Sequence, residues 1–248
     1  MSQKLKLGLT LFVLGLLGVS TMLTVTLPID NLPAQLAQLP VFTIKLITLI
    51  NPVVFLMITV SVGTALYDKV NLTVPAVSSL LGIEDPKTSF VQQLKYGVSL
   101  GLLAGIIIVF IAFIFEQVIP EEFKALENKI ELTLIARIGY GGIVEELLLR
   151  FGFMTLVVWI TSKLTKKLNN PTYWIGIVIS TLLFAIGHFP VVYASVTHPS
   201  LLLLTYVLIG NSIGGLFFGW LYWKKGLEAA CIAHMFAHVA MVLGGLLS

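Results

Sequence analysis

Charge is scarce in this chain. Asp, Glu, Lys and Arg make up 11% of its 248 residues, against 57% hydrophobic, and the mean hydropathy is +1.00. A soluble domain carries roughly 25% charged residues, so a soluble globular fold is excluded. Disorder, which requires low hydrophobicity and high charge, is excluded as well. Cysteine is nearly absent, and the single Cys231 rules out both an intrachain disulfide and a cysteine-rich metal site. Basic residues are sparse too. Fifteen Lys and Arg stand against 12 Asp and Glu, too thinly scattered to form a nucleic-acid-binding patch. The sequence has no internal repeat and no low-complexity tract. It also lacks the ten-residue alternation of a membrane β-barrel.

Long apolar runs dominate instead. A helix needs ~20 mainly apolar residues to cross the hydrocarbon core. Seven stretches reach that length, at about 7–27, 41–67, 92–119, 132–161, 172–195, 201–223 and 226–247. Lipid-facing backbone must satisfy its own hydrogen bonds, so each stretch reads as a helix. The expected fold is an all-α, polytopic transmembrane bundle of about seven spans, forming a single integral membrane domain over 1–248. Lys4 and Lys6 give the first stretch a basic start. Its apolar run is longer than a signal-peptide core and no small-x-small cleavage site follows, so it reads as a retained helix. With the N-terminus inside, ten lysines fall on the cytoplasmic side, while Lys45, Lys124 and Lys129 fall outside. That bias supports the orientation. The longest cytoplasmic connection, 68–91, holds Pro75, Asp85 and Pro86; the outer loop 120–131 is acidic, with Glu121, Glu122, Glu127 and Glu131, and suits a short interfacial helix. The chain reads as a multi-pass protein of the cell membrane.

A charge at the bilayer centre costs ~2.5–3.5 kcal/mol even on a lenient scale, so such residues come with partners and usually with a purpose. The fourth stretch carries Arg137, Glu145, Glu146 and Arg150, the last three in GGIVEELLLRFGF. Glu146 and Arg150, four apart, share a helix face and can pair. Glu145 is rotated by about 100° from Glu146 on a regular helix, so it points elsewhere and is free to face a cavity. In the fifth stretch, FAIGH puts Phe184 and His188 on one face, and Pro190 ends or kinks the helix beside them. In the seventh, AHMFAH puts His234 and His238 on one face, as a polar packing pair or as metal ligands. Each group alone has an ordinary reading as packing network, interhelical hydrogen bond or core. Together, three helices bring a glutamate and histidines to mid-membrane among Gly139, Gly141, Gly142, Gly187, Gly214, Gly215 and Gly219. That combination reads as one buried, hydrated site. His198, in an outer loop, is assigned no role, and Cys231 reads as a small packing residue.

The motifs EELLLR, FAIGH and AHMFAH, in this order on separate spans, resemble the CPBP or Abi family of CAAX-type prenyl proteases and bacteriocin-processing enzymes. The family pattern is EExxxR, FxxxH and HxxxN or HxxxD. Glu145, Glu146 and Arg150 match the first motif, Phe184 and His188 the second, and His234 opens the third; GWLYWKKGLEAACIAH also resembles the family's approach to that last helix. The resemblance covers 132–247, which would carry the catalytic core. His238 departs from it, standing where the family has Asn or Asp. The resemblance implies an intramembrane glutamic endopeptidase that uses no metal or other cofactor and acts on a peptide or membrane-protein substrate. Glu145 would be the general base for water. His188 and His234 would donate to the oxyanion, with His238 at the position that assists them. Glu146 and Arg150 would hold the geometry. Two alternatives stay open. One is a zinc-dependent membrane protease using Glu145, His188, His234 and His238, although HExxH is absent. The other is a non-enzymatic scaffold or regulator, or a proton relay without the inverted repeats usual in transporters.

Overall fold

A computed structural model of the chain describes residues 2–26, 38–83, 88–127 and 132–246. Leu27, Asp85, Pro86, Lys87, Lys129, Glu131 and Leu247, at predicted span ends and in loops, lie outside the described residues. Everything regular is helical, and no strand occurs among the described residues. In chain order the elements are α1 (Gln3–Ser20, continued by a 3₁₀ turn Thr21–Thr24), α2 (Val41–Thr48), α3 (Ile50–Leu66), α4 (Pro75–Leu80), α5 (Phe90–Glu116) and α6 (Pro120–Glu127). There follow α7 (134–165), α8 (Asn170–Ile186), α9 (Phe189–Ser195), α10 (Leu201–Lys225) and α11 (Leu227–Gly245). Local chemistry sets the starts. Ser2, Ser89, Asn169 and Ser200 each accept a backbone N–H of the first turn, at 3.1 to 3.3 Å, opening α1, α5, α8 and α10. Such caps satisfy donors that apolar surroundings cannot. The acidic segment after α5 forms the short helix α6, as expected from its composition.

Six helices are long and apolar enough to cross a membrane: Gln3–Thr24, Val41–Val70, Phe90–Glu116, Asn170–Ser195, Leu201–Lys225 and Leu227–Gly245. They correspond to six of the seven expected stretches. The remaining one, 132–161, is helical as well, within α7, but its winding sets it apart from the others. Most of its length is π-helix, over Arg137–Glu145 and Leu147–Met154, before it returns to α-helix at Thr155–Thr165. Its neighbours enclose it. The first π segment packs on α1 and α11, and the second packs on α3, α8 and α10. The first stretch, expected to be a retained helix, is part of this core, with Leu7 and Leu11 buried.

The outside is apolar and the inside carries charge. Leu201, Val91 and Phe110 are 80%, 74% and 63% exposed, whereas Glu146 and Arg150 are 0% exposed. A soluble monomer does not present continuous apolar surface on this scale, and this is a multi-pass membrane protein. A smaller apolar cluster of Phe123, Val192, Leu203 and Val207 joins α6, α9 and α10 at one end of the bundle. Glu122 ties that end together by accepting from Ser200 N and Oγ at 2.7 and 2.6 Å.

Between lipid-facing helices there is little hydrophobic drive to associate, so close packing of small residues carries the contact. On α5, Gly97, Gly101 and Gly105 form such a seam against Ala229, Ala233, Ala237 and Ala240 of α11. A Cβ on Gly105 would lie 2.6 Å from the Ala237 carbonyl oxygen, and one on Gly101 would strike the Ala233 backbone. His234 follows Ala233 directly, so the seam sets its height and rotation. Overpacking a close-fitted site costs about 1–3 kcal/mol, occasionally more. Gly101→Val is therefore expected to lower the thermal unfolding midpoint in detergent. A variant as stable as the parent would show that the two backbones are not in contact.

Candidate active site

The expected side chains come from α7, α8 and α11, and each is placed by a local feature of its helix. On α7 the π winding matters most. An i→i+5 helix takes more residues per turn than the 3.6 of an α-helix, so successive residues rotate by less than 100°. Glu145 and Glu146 still part as expected, Glu145 toward the cavity and Glu146 toward Arg150, yet both reach the same imidazole. Glu146 Oε1 lies 2.9 Å from His234 Nδ1, and Glu145 Oε2 lies 3.8 Å from His234 Nε2.

The expected Glu146–Arg150 pair is present and shut off from solvent, with Arg150 Nε 3.4 Å from Glu146 Oε2. Arg150 Nη2 also donates to the Gly215 carbonyl at 3.4 Å, and the guanidinium lies over the faces of Phe184 and Phe218, 5.0 and 5.8 Å from their centroids. Gly215 itself packs on Thr181 of α8, whose Cγ2 would lie 2.7 Å from a Cβ at this position.

Pro190 acts on α8 as expected. The helix stops at Ile186 and restarts as α9 at Phe189, leaving His188 at the joint. The His188 backbone N–H bonds to the Ala185 carbonyl at 3.2 Å instead of that of Phe184. The Phe184 carbonyl oxygen accepts from His188 Nδ1 at 2.8 Å instead. A carbonyl can only accept, so Nδ1 carries a proton, and a neutral His188 presents an acceptor at Nε2. Phe184 packs edge-on against both His188 and His234, with centroids 4.8 and 5.9 Å away.

On α11 the two histidines stack, with centroids 4.9 Å apart and rings inclined by 21°. Phe218 of α10 covers the other face of His234 at 4.6 Å. With Nδ1 held by Glu146, His234 Nε2 is the atom left for chemistry. His238 Nδ1 is buried without a hydrogen-bond partner among the described residues. Gly141 of α7 faces both rings. A Cβ there would lie 2.6 Å from His238 Nε2 and 3.6 Å from His234 Nε2.

These groups share one cavity of about 370 Å³. Glu145, Phe184, His188, His234 and His238 line it, while Glu146 and Arg150 lie behind the wall. His198 and Cys231 are not among its lining residues. Among the described residues, no group of three or more His, Cys, Asp and Glu side chains is arranged to hold a metal ion. The arrangement can deprotonate a small nucleophile at Glu145 and present imidazole nitrogens to a neighbouring oxygen. Sequence reasoning missed three contributors. Phe218 sits in an apolar run and gives no signal. Tyr140 and Asn211 also line the cavity, and an amide inside an apolar helix is the signal that could have found Asn211.

Residues 128–240 match the family model described as type II CAAX prenyl endopeptidase Rce1-like. The matched region contains Glu145, Glu146, Arg150, Phe184, His188, His234 and His238. No curated protein and no solved structure matches the chain significantly. Over residues 128–240, just under half of its length, the chain is similar to the Rce1-like family of type II CAAX prenyl endopeptidases.

Proposed function

We propose that the protein is an intramembrane endopeptidase that cleaves a peptide or membrane-protein substrate with a water molecule activated by Glu145, without a metal. One observation carries this reading. Of the two adjacent carboxylates, Glu145 opens to the cavity beside the histidines, while Glu146 is sealed behind them and engaged with Arg150 and His234. The family's name adds prenylated C-terminal peptides as the first substrates to try.

In this mechanism water sits between Glu145 and His188, whose Nε2 accepts one of its hydrogen bonds. Glu145 removes a proton as the water oxygen attacks the scissile carbonyl. General-base help of this kind contributes about 10²–10⁴-fold. The carbonyl oxygen becomes an oxyanion beside His234, which donates from Nε2 when both ring nitrogens carry protons. Glu146 holds His234 through Nδ1, as a buried carboxylate orients a catalytic histidine in other hydrolases. Glu145 then returns the proton to the leaving amine, which completes hydrolysis. The lysine bias supports placing the N-terminus inside, with the bundle in the cell membrane as one domain over 1–248 and its catalytic core in 132–247.

Glu145→Gln is expected to lower kcat by about 10²–10⁴-fold with the thermal midpoint unchanged, in a peptide-cleavage assay on purified protein in detergent. Activity near the parent's would sink the role of Glu145 as base.

Arg150→Ala leaves Glu146 buried without its counter-ion. Losing one partner of a buried pair costs about 3–5 kcal/mol, so this variant should unfold at a markedly lower temperature and give less folded protein. Parent-like stability would mean that Glu146 is not held as an ion.

His238 separates the metal-free reading from the zinc one. In the metal-free reading His238→Asn keeps or raises activity, because Asn supplies an amide N–H₂. His238→Ala then loses about 10²–10³-fold, as for other oxyanion donors, and chelator leaves the parent unaffected. Stoichiometric zinc in the parent that is lost with activity in His238→Asn would reverse that choice.

A further inference from the structure

The cavity holds a cation that this mechanism does not use. Among its lining side chains, Glu145 is the carboxylate and Arg137 is the guanidinium. Both belong to the same π-helical segment, eight residues apart in sequence. Arg137 is half-buried, and its Nε donates to the Leu132 carbonyl at 3.2 Å. Among the described residues no carboxylate pairs with it, and Nη1 and Nη2 make no hydrogen bond. The wall around the cavity is largely apolar, with Val191, Val207 and Ile108 among its residues. A charge that meets no counter-ion among the described residues is costly at the edge of an apolar bundle. A guanidinium whose Nε is already tied presents its other two nitrogens in a fixed orientation, and planar carboxylates fit such a fork.

We infer that Arg137 binds the C-terminal carboxylate of the substrate and so fixes which peptide bond meets Glu145. The inference rests on the endopeptidase reading above and adds its specificity. Arg137 and Glu145 line the same cavity, so a substrate held at one end by Arg137 presents one particular bond to Glu145. Every peptide carries that carboxylate whatever its sequence, so the apolar wall is left to select the side chains between.

The test compares two forms of one fluorophore-labelled, S-prenyl-cysteine tetrapeptide, one ending in a free carboxylate and one in an amide. Binding is measured by anisotropy on the full chain in detergent, in the Glu145→Gln background so that nothing is cleaved. The acid should bind about ten- to a hundredfold tighter than the amide, the range for a hydrogen-bonded charge. Adding Arg137→Gln should abolish that difference by weakening the acid alone, and Arg137→Lys should restore part of it. Equal affinity for acid and amide in the Glu145→Gln chain overturns the inference without any change at Arg137. A preference that persists in Arg137→Gln overturns it too, by assigning recognition elsewhere. Cleavage by the unmodified chain keeps the two readings apart. Selective binding of the acid with no cleavage of either peptide sinks the endopeptidase reading alone. Equal kcat/KM on both peptides sinks the role of Arg137 alone.

Discussion

A carboxylate and a guanidinium with no access to water, inside a bundle that is apolar on its outer surface, form the constraint around which this protein is organised. Glu146 has one oxygen against His234 and the other facing Arg150, and Arg150 reaches the Gly215 carbonyl and the faces of Phe184 and Phe218. Four helices, α7, α8, α10 and α11, therefore meet at one ion pair. The net contribution of such a pair to stability is small, because desolvation takes back most of the Coulomb attraction. Its penalty for misplacement is large, since a displaced neighbour leaves a charge uncompensated. The pair thus acts on register more than on overall stability. The glycine seam between α5 and α11 serves the same end from outside, by setting where the helix that carries His234 can lie.

Adjacent residues of identical chemistry are given different tasks by position alone. Glu146 is fully enclosed and spends both oxygens on the scaffold. Glu145, with its side chain 20% exposed, faces the cavity. A base that must take up and release a proton needs access to water. A residue that orients a histidine needs the opposite, a fixed partner and no competing solvent. Burial separates the two, and the proposed division of labour follows from it.

Much of this was legible in the sequence, for identifiable reasons. Membrane spans appear as composition, and lipid leaves the backbone little choice but helix. The i, i+4 spacing of Glu146 and Arg150, of Phe184 and His188, and of His234 and His238 survived as real neighbours. The separate directions of Glu145 and Glu146 also followed from their spacing, but their meeting at one imidazole did not, and hydropathy carries no signal of a π winding. Phe218 was hidden for another reason. An aromatic that covers a cavity-lining histidine has the same residue type, and the same burial, as any aromatic in a core. The α5 glycines recur every four residues, but their partner helix lies far along the chain, and sequence without contacts does not name it.

Two departures from regular helix lie on the cavity. The π segments of α7 bring both glutamates to His234, and the Pro190 break in α8 leaves the Phe184 carbonyl for His188 and opens the joint at that ring. Irregular backbone at membrane depth is tolerated only where protein or a water-lined cavity satisfies its freed groups. Each irregularity here meets that condition by serving the site. The carbonyl released at the break fixes a histidine tautomer, and the wide winding lies where both glutamates meet His234. An uninterrupted α8 would return the Phe184 carbonyl to its own ladder. The defects are thus what allow a polar, hydrated site to exist within seven largely apolar stretches of chain.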